Sequence, residues 1–306
     1  MVRVAVAGGT GGLGRTIVEA LEEDGTHDVV VLTRKTGHPP NAETNSSPST
    51  TAVIPTDYTN PESIAQTLNE HNIHTVISTI VIKSEEQRDA QLNLIRGSAL
   101  SSSVKRFTPS EFGTPRKPFN DTSSASSAPT PSPTDYKSQA VAELEATHLE
   151  YTLFSHGIFM DYQGMPRIQS HLTPWVFAID LAHKVAGIPG SGDVACVYTY
   201  SRDVARFVAA AAGLPDGAWK KQSVMVGQRQ TLNQVLRTAE SILGAFDAFY
   251  ESVSKEVFQR RFAGFGMAME QGAFDFEMPS DGVLLNDLFP HIRPKTMREV
   301  IEEGWA

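Results

Sequence analysis

The chain has 306 residues, of which 40% are hydrophobic, and this length and composition suit one large globular domain or two smaller ones. Its 26 Lys and Arg residues against 35 Asp and Glu give a formal charge of -9, which argues against broad attraction to nucleic acid or to an anionic membrane. Cys196 is the single cysteine, so an internal disulfide is excluded and no zinc site is expected. No apolar run reaches the roughly 18 residues of a membrane span, and we expect a cytoplasmic protein.

The N-terminal segment is predicted to form a strand, a glycine-rich turn and a helix. Valine and alanine dominate residues 2–7, and a helical stretch runs from Leu13 to about Glu23. The glycines between them match G-x-G-x-x-G from Gly9 to Gly14, or G-x-x-G-x-x-G from Gly8 to Gly14. In such a turn the backbone approaches a dinucleotide pyrophosphate at the start of the next helix. A purely steric glycine turn is the alternative, and the strand and helix segments that follow favour the dinucleotide. The predicted contacts are Gly8, Thr10, Gly11, Gly12, Leu13 and Gly14.

Four further strands are predicted in the first half of the chain. They lie at 28–33, 51–57, 74–82 and 104–108. The segments 28–33 and 74–82 are apolar, as is typical of strands buried on both faces. Helices separate these strands, so the sequence predicts an α/β fold with a Rossmann-type, doubly wound parallel sheet.

Two of the intervening helices have clear sequence signals. Asn60 is expected to cap a helix that opens with Pro61. A second, amphipathic helix is expected over 84–101. Its predicted inward positions include Leu92, Ile95 and Leu100.

The second half of the chain is less regular. A stretch rich in serine and proline, at about 114–134, is too polar to pack and is expected to be a flexible loop, either a lid or a tolerated surface insertion. Beyond Gly157 the alternation of strands and helices weakens. We therefore expect a dinucleotide-binding Rossmann domain over 1–157. Residues 158–306 are expected to form mainly a smaller substrate-binding domain, with some segments that return to the first.

The end of the second strand indicates which dinucleotide is bound. NAD-binding domains carry an acidic residue about 20 positions beyond the turn, which binds the ribose hydroxyl. Here the sequence reads Leu32-Thr33-Arg34-Lys35, without a carboxylate. A guanidinium suits a 2′-phosphate, so we predict NADPH, with Arg34 and Lys35 as contacts. A solvated charge at the strand end is the alternative for Arg34.

The tyrosine chemistry of typical short-chain dehydrogenases is absent from the sequence. Their Tyr-x-x-x-Lys pattern does not occur, because none of the seven tyrosines has a lysine four residues later. The helix predicted over 135–149 offers Lys137, which shares a helical face with Val141, Leu144 and His148. Partial desolvation of an inward lysine lowers its pKa toward a range useful for proton transfer. A lysine that reaches back to solvent is the alternative.

Several motifs occur in a fixed order over most of the chain. They include Val6-Ala-Gly-Gly-Thr-Gly-Gly-Leu-Gly14, Val76-Ile-Ser-Thr79, Lys105-Arg-Phe-Thr-Pro-Ser-Glu-Phe-Gly113, Ile188-Pro-Gly-Ser-Gly192 and Val226-Gly-Gln-Arg-Gln-Thr-Leu-Asn233. Together they resemble the isoflavone reductase-like branch of the NmrA-like atypical short-chain dehydrogenases.

This resemblance implies a Rossmann domain with a small substrate domain, NADPH, and reduction of aromatic or phenolic natural products in secondary metabolism. It implies that Lys137 is the catalytic proton donor or acceptor, and it adds contacts beside the cofactor. These are Ser78, Thr79, Ser110, Glu111, Phe112 and Lys137 itself. The expected partner is a small aromatic substrate, and the protein is expected to be a monomer or a homodimer.

One position departs from the family pattern. The plant reductases have an asparagine where this chain has Gly157, within Ser155-His156-Gly157. His156 is a candidate hydrogen-bonding group in the pocket, with a structural role as the alternative. The candidate substrate-pocket residues are His156, Gly157, Phe159, Met160 and Trp175. The competing function is a non-catalytic, NADP(H)-sensing regulator that binds a protein partner.

Overall fold

The computed structural model describes residues 2–34, 51–115, 133–251 and 265–306. The strands in these ranges are β1 (Val2–Ala7), β2 (His27–Thr33), β3 (Ala52–Pro55), β4 (Thr75–Ser78), β5 (Arg106–Thr108), β6 (Glu150–Tyr151), β7 (Leu153–Ser155), β8 (Ile158–Phe159), β9 (Ile179–Asp180), β10 (Val185–Pro189), β11 (Ala195–Thr199), β12 (Gln222–Val224), β13 (Gln228–Thr231), β14 (Asp247–Glu251) and β15 (Gly282–Leu284). The helices are α1 (Gly12–Asp24), α2 (Pro61–Glu70), α3 (Glu85–Leu100), α4 (Pro133–Glu145), α5 (Asp161–Gly164), α6 (Ser201–Ala212), α7 (Leu232–Leu243), α8 (Phe265–Glu270), α9 (Leu285–Leu288) and α10 (Met297–Trp305). Most of the Ser/Pro-rich stretch lies outside the described residues.

The first six strands form one parallel sheet in the order β3-β2-β1-β4-β5-β6. β1 lies between β2 and β4, and Val6 is in register with Val31 on one side and Ile77 on the other. The predicted α/β fold with a doubly wound parallel sheet is confirmed. In such sheets the strand order reverses beside the first strand, and ligands bind there at the carboxyl ends of the strands.

The chain divides into two compact units. The first comprises Met1–Phe112, Arg116–Phe154 and Ala205–Ser223, and the second comprises Gly113–Pro115, Ser155–Val204 and Val224–Ala306. The core of the first unit is formed by aliphatic side chains of the parallel sheet and its helices, such as Ala5, Leu32 and Ile95. The inner strands β4 and β5 are buried along their whole length, whereas three of the four residues of the edge strand β3 are exposed.

The second unit has its own core and smaller sheets. β8, β11 and β13 form one three-stranded sheet, and β9, β10 and β14 form another. Its core includes Ile188, Tyr198 and Met160, together with aliphatic residues of α7 and α10. No helix among the described residues is long and apolar enough to cross a bilayer.

Some predicted elements differ in extent from those observed. β4 ends at Ser78, well before residue 82. The segment over 150–155 forms two strands, β6 and β7, separated at Thr152, whose carbonyl accepts a hydrogen bond from Oγ1 of Thr108 at 3.0 Å. Leu100 is 59% exposed, so its predicted inward position is wrong; it is the last residue of α3, where the buried face of the helix has already ended.

Candidate functional site

The glycine turn after β1 is closed by contacts that only glycine permits. Gly8 has a φ of +81°, and a Cβ there would lie 2.8 Å from Oγ1 of Thr79. A Cβ at Gly14 would lie 2.4 Å from the Gly8 carbonyl oxygen. The first turn of α1 therefore packs directly on the end of β1, beside the residue that follows β4.

The same turn leaves open space at the start of α1. An added Cβ at Gly11 or Gly12 would meet no described atom within 4 Å. Gly11 is the N-cap and has extended backbone, without a side-chain cap, and the first turn of α1 contains no acidic residue. Thr10 and Leu13 are half-buried in this segment. The first N–H groups of the helix and its positive dipole end are thus accessible to an anionic group.

A buried glutamine joins the ends of β4 and β5. Gln91 is fully buried on α3, and its Oε1 accepts hydrogen bonds from Oγ of Ser78 at 2.7 Å and from the backbone N–H of Ser110 at 3.3 Å. Ser78 and Ser110 are both predicted cofactor contacts, and the structure brings them to the same amide group. Sequence reasoning missed Gln91. The one signal for it was a polar residue beside Leu92 on the inward side of a helix.

The remaining residues after β4 and β5 are held by short local contacts. Thr79 donates two hydrogen bonds of 2.8 Å, from its backbone N–H and from Oγ1, to the Ala7 carbonyl. Glu111 is buried, and its N–H donates to the Pro109 carbonyl at 2.8 Å. The Phe112 ring stacks on Phe154, with 6.0 Å between centroids. The segment that starts at Pro109 is therefore a tight turn at the carboxyl edge of the sheet.

Arg34 lies immediately beyond β2, at the same edge. Its Nη1 is 3.5 Å from Oε1 of Glu86, and both side chains are largely exposed. Such exposed pairs contribute little free energy, so an incoming phosphate can displace the carboxylate. Nearby, burial raises the pKa of the Tyr58 hydroxyl, although Arg34 acts in the opposite direction, and this neutral group donates to the Leu32 carbonyl. Lys35 lies outside the described residues.

Lys137 is half-buried on α4. The buried stripe of this helix runs through Tyr136, Ala140 and Leu144; of the predicted face, Leu144 is buried, whereas Lys137 and Val141 are half-buried. Lys137 therefore lies on the flank of the inward stripe. His148 is exposed, because α4 ends at Glu145, so its predicted membership of that face is wrong.

The second unit contains the other predicted pocket residues. The His156 ring is buried and stacks on Phe159, with 4.1 Å between centroids. Gly157 has a φ of +77°, and a Cβ there would lie 2.1 Å from the Val197 carbonyl oxygen. β8 and β11 pair beside this point, so the backbone leaves no room for a side chain at residue 157. This close approach explains why glycine occupies the position.

A row of aromatic rings extends from Phe159 through the second unit. Phe159 meets Tyr162 edge to face at 6.3 Å, Tyr162 meets Trp175 at 5.4 Å, and Trp175 meets Phe265 at 4.9 Å. Burial, and secondarily the Asp161 charge, raises the pKa of Tyr162, so its hydroxyl stays protonated. Trp175 is 41% exposed, which gives the row an accessible aromatic end. Met160 is fully buried in the core.

Comparison with known proteins identifies the family. The model of the NmrA-like family matches residues 2–278. The chain belongs to the NmrA-like family. Oxidoreductase BOA1 of Botryotinia fuckeliana is 41% identical over 96% of each chain. Oxidoreductase swnN of Metarhizium robertsii is 31% identical over 100% of this chain and 98% of its own. The predicted family is confirmed, and so is the expectation that this protein is an enzyme of the oxidoreductase class.

The fold is also that of solved plant-type reductase structures. A structure described as AtPrR2 with NADP+ and (+)pinoresinol has a TM-score of 0.73 and 21% identity, over 98% of each chain. At this identity the likeness concerns the fold. It agrees with the six-stranded parallel sheet and the turn that follows β1.

Proposed function

We propose that this oxidoreductase uses NADPH to reduce an aromatic or phenolic substrate, such as an enone, a quinone or a benzylic ether, with Lys137 as proton donor or acceptor. The observation that carries the proposal is the open, uncapped start of α1 at Gly11 and Gly12. In a doubly wound sheet this is where a dinucleotide pyrophosphate binds.

The residues around this turn fit NADPH. The N–H groups that follow Gly11 would hold the pyrophosphate, and Arg34 would bind the 2′-phosphate in exchange for its exposed contact with Glu86. Ser78 and Ser110, joined by Gln91, would lie along the cofactor at the carboxyl edge of the sheet. The structure described as AtPrR2 contains NADP+, which supports the same choice of cofactor.

The chemical roles of the chain follow from this arrangement. When bound, the nicotinamide supplies a hydride to an electrophilic carbon. Lys137 would donate a proton from its ammonium group to the substrate oxygen that gains negative charge, and would then recover a proton from solvent. The half-buried position of Lys137 is compatible with this role, because partial burial favours the neutral form of a lysine amine.

The aromatic row supports the substrate class. Phe159, Tyr162 and Trp175 present ring faces and edges that pack well against another aromatic ring. The exposed part of Trp175 gives a ligand access to this row. AtPrR2 is described with the phenolic ligand pinoresinol, which is consistent with an aromatic substrate here.

The test is NADPH oxidation by the native protein with quinones, enones and phenolic ethers. We expect turnover with at least one class, and a loss of about 10²- to 10⁴-fold in kcat in the Lys137→Met variant. Lys137→Arg keeps the positive charge but cannot release a proton, so it should lose turnover as well. The affinity for NADPH, measured by fluorescence titration, should change little in either variant.

Two results would contradict this proposal. Tight NADPH binding without turnover of any substrate class favours the sensing regulator. Full activity in Lys137→Arg shows that the lysine supplies charge and not a proton.

A further inference from the structure

A polar cleft of about 450 Å³ lies in the second unit, where β13, α7 and α10 meet. Three arginines line it, namely Arg229 from β13, Arg237 from α7 and Arg298 from α10. No carboxylate is among the described residues that line the cleft. Three cations in one cleft are notable in a chain with a formal charge of -9.

The periodicity of α7 explains how its polar groups reach the cleft. Gln234, Arg237, Thr238 and Ser241 follow the i, i+3, i+4, i+7 spacing of one helical face, and all four line the cleft. The opposite face of α7 is buried in the core of the second unit. The start of the helix is fixed by a capping box between Thr231 and Gln234. This face is therefore presented by a rigid element.

Two of the three guanidinium groups are already held in position. Arg298 contacts Glu302 at 3.2 Å and donates to Oγ of Ser241 at 2.9 Å, which links α10 to α7. Arg229 pairs with Asp275 and donates to the Phe276 carbonyl at 3.1 Å. These contacts preorganise the donors but also offset two of the positive charges.

Arg237 is different. It is exposed and makes no hydrogen bond or ion pair within the part of the chain that the structure describes. The cleft therefore keeps one unbalanced positive charge, next to the hydroxyls of Thr238 and Ser241. A guanidinium without a counter-charge is what an anionic ligand would pair with.

We propose that this cleft binds a small oxyanion with two or more negative charges, either an organic phosphate or a polycarboxylate. Guanidinium groups bind both through paired N–H···O hydrogen bonds. The cleft volume is within the range for small ligands, and its polar lining excludes a purely apolar one. The site consists of second-unit residues, whereas the glycine turn belongs to the first unit.

The experiment is calorimetric titration of the full-length, NADPH-saturated protein with inorganic pyrophosphate and, separately, with citrate. We expect saturable binding of one anion per chain that weakens as ionic strength rises. Arg237→Gln should weaken binding by about tenfold or more, because a charge-assisted, bidentate contact is lost. The matched control is Arg293→Gln, which removes the same charge from an exposed residue that does not line the cleft.

The two anions identify the source of the ligand. Tighter binding of pyrophosphate indicates an organic phosphate, and tighter binding of citrate indicates a polycarboxylate. Absence of saturable binding for both anions overturns the proposal, as does equal weakening in Arg237→Gln and Arg293→Gln. A failure of the glycine turn to bind NADPH is distinguishable, because Arg237→Gln leaves that turn intact.

Discussion

Gln91 links two strand ends through a single amide oxygen. Ser78 is the last residue of β4, and Ser110 lies in the turn after β5. The Ser78 hydroxyl and the Ser110 N–H both donate a hydrogen bond to this oxygen. The Nε2 of Gln91 is buried without a hydrogen-bond partner among the described residues, so part of its hydrogen-bonding capacity is left unused. Retaining a buried amide despite this cost indicates that its oxygen has a positioning role.

Replacing Gln91 tests this role. Gln91→Leu keeps the approximate volume but leaves the Ser78 hydroxyl and the Ser110 N–H without an acceptor. We expect a loss of about 1–3 kcal/mol in the free energy of unfolding, measured by denaturant titration. Weaker NADPH binding should accompany it, since the Ser110 turn loses its anchor. A matched control is Gln66→Leu on the exposed face of α2, which should stay within about 0.5 kcal/mol. Equal effects of the two substitutions would contradict a positioning role.

At the level of elements, the N-terminus of α1 lacks a stabilising side-chain cap, and its N–H groups are accessible. Its N-cap, Gly11, lacks a side chain that could accept a hydrogen bond from the first turn. Asn60 performs this function for α2, where its side chain accepts from the Ser63 N–H at 2.9 Å. A helix that lacks such a cap is less stable by itself, and its N–H groups stay available for an anion.

The missing cap of α1 predicts that one substitution at Gly11 raises the stability of the free protein and lowers its affinity for NADPH. Gly11→Asp introduces a good N-cap where an added Cβ meets nothing, so the free protein should gain up to about 1 kcal/mol in stability. The same carboxylate would lie where the pyrophosphate binds, so NADPH affinity should fall by tenfold or more. Gly11→Asn caps the helix without charge and should weaken NADPH binding less. Thermal unfolding and cofactor titration measure both effects, and unchanged affinity in Gly11→Asp would exclude this helix end as the pyrophosphate site.

Local signals predicted most of these elements, because they depend on neighbours in the sequence. The cap at Asn60 and Pro61 at the start of α2 occur as expected, and the predicted parallel strands are present, although β4 is shorter than predicted. Distant contacts were not predictable in this way. Arg106, in the most specific family motif, is fully buried and pairs with Glu150 at 2.7 Å, and its guanidinium lies 4.9 Å from the Trp219 ring. Part of that motif therefore supports the fold.

Prediction of the candidate site from sequence has the same limit: local features were recognisable, and contacts between distant residues were not. The glycine turn was recognisable from the spacing of its glycines, and at Gly8 and Gly14 an added Cβ would clash with neighbouring atoms. The contacts of Gln91 were not, because they join residues from three separate segments. On α4 the predicted inward Leu144 is buried, whereas Lys137 lies beside the buried Tyr136, because an ambiguous pattern does not fix the phase of a helix.

For the whole molecule, the net charge of -9 opposes the binding of an anionic cofactor. Under the proposed function, affinity for NADPH would therefore come from local groups, chiefly the start of α1 and Arg34. Ligand binding to the folded state stabilises the whole chain, by about 2.7 kcal/mol at a hundred times Kd. The melting temperature thus reports how strongly each cofactor is held.

We expect NADPH to raise the melting temperature more than NADH at equal concentration, because Arg34 binds the additional phosphate. Arg34→Ser should reduce NADPH affinity by about tenfold and narrow the difference between the two cofactors, while it leaves NADH unaffected. Lys220→Ser removes a cation from another exposed position of the same unit, so it controls for the change in net charge. If Arg34→Ser leaves the difference unchanged, Arg34 is only a solvated charge at the end of β2. The preference for the phosphorylated cofactor would then have to come from residues other than Arg34.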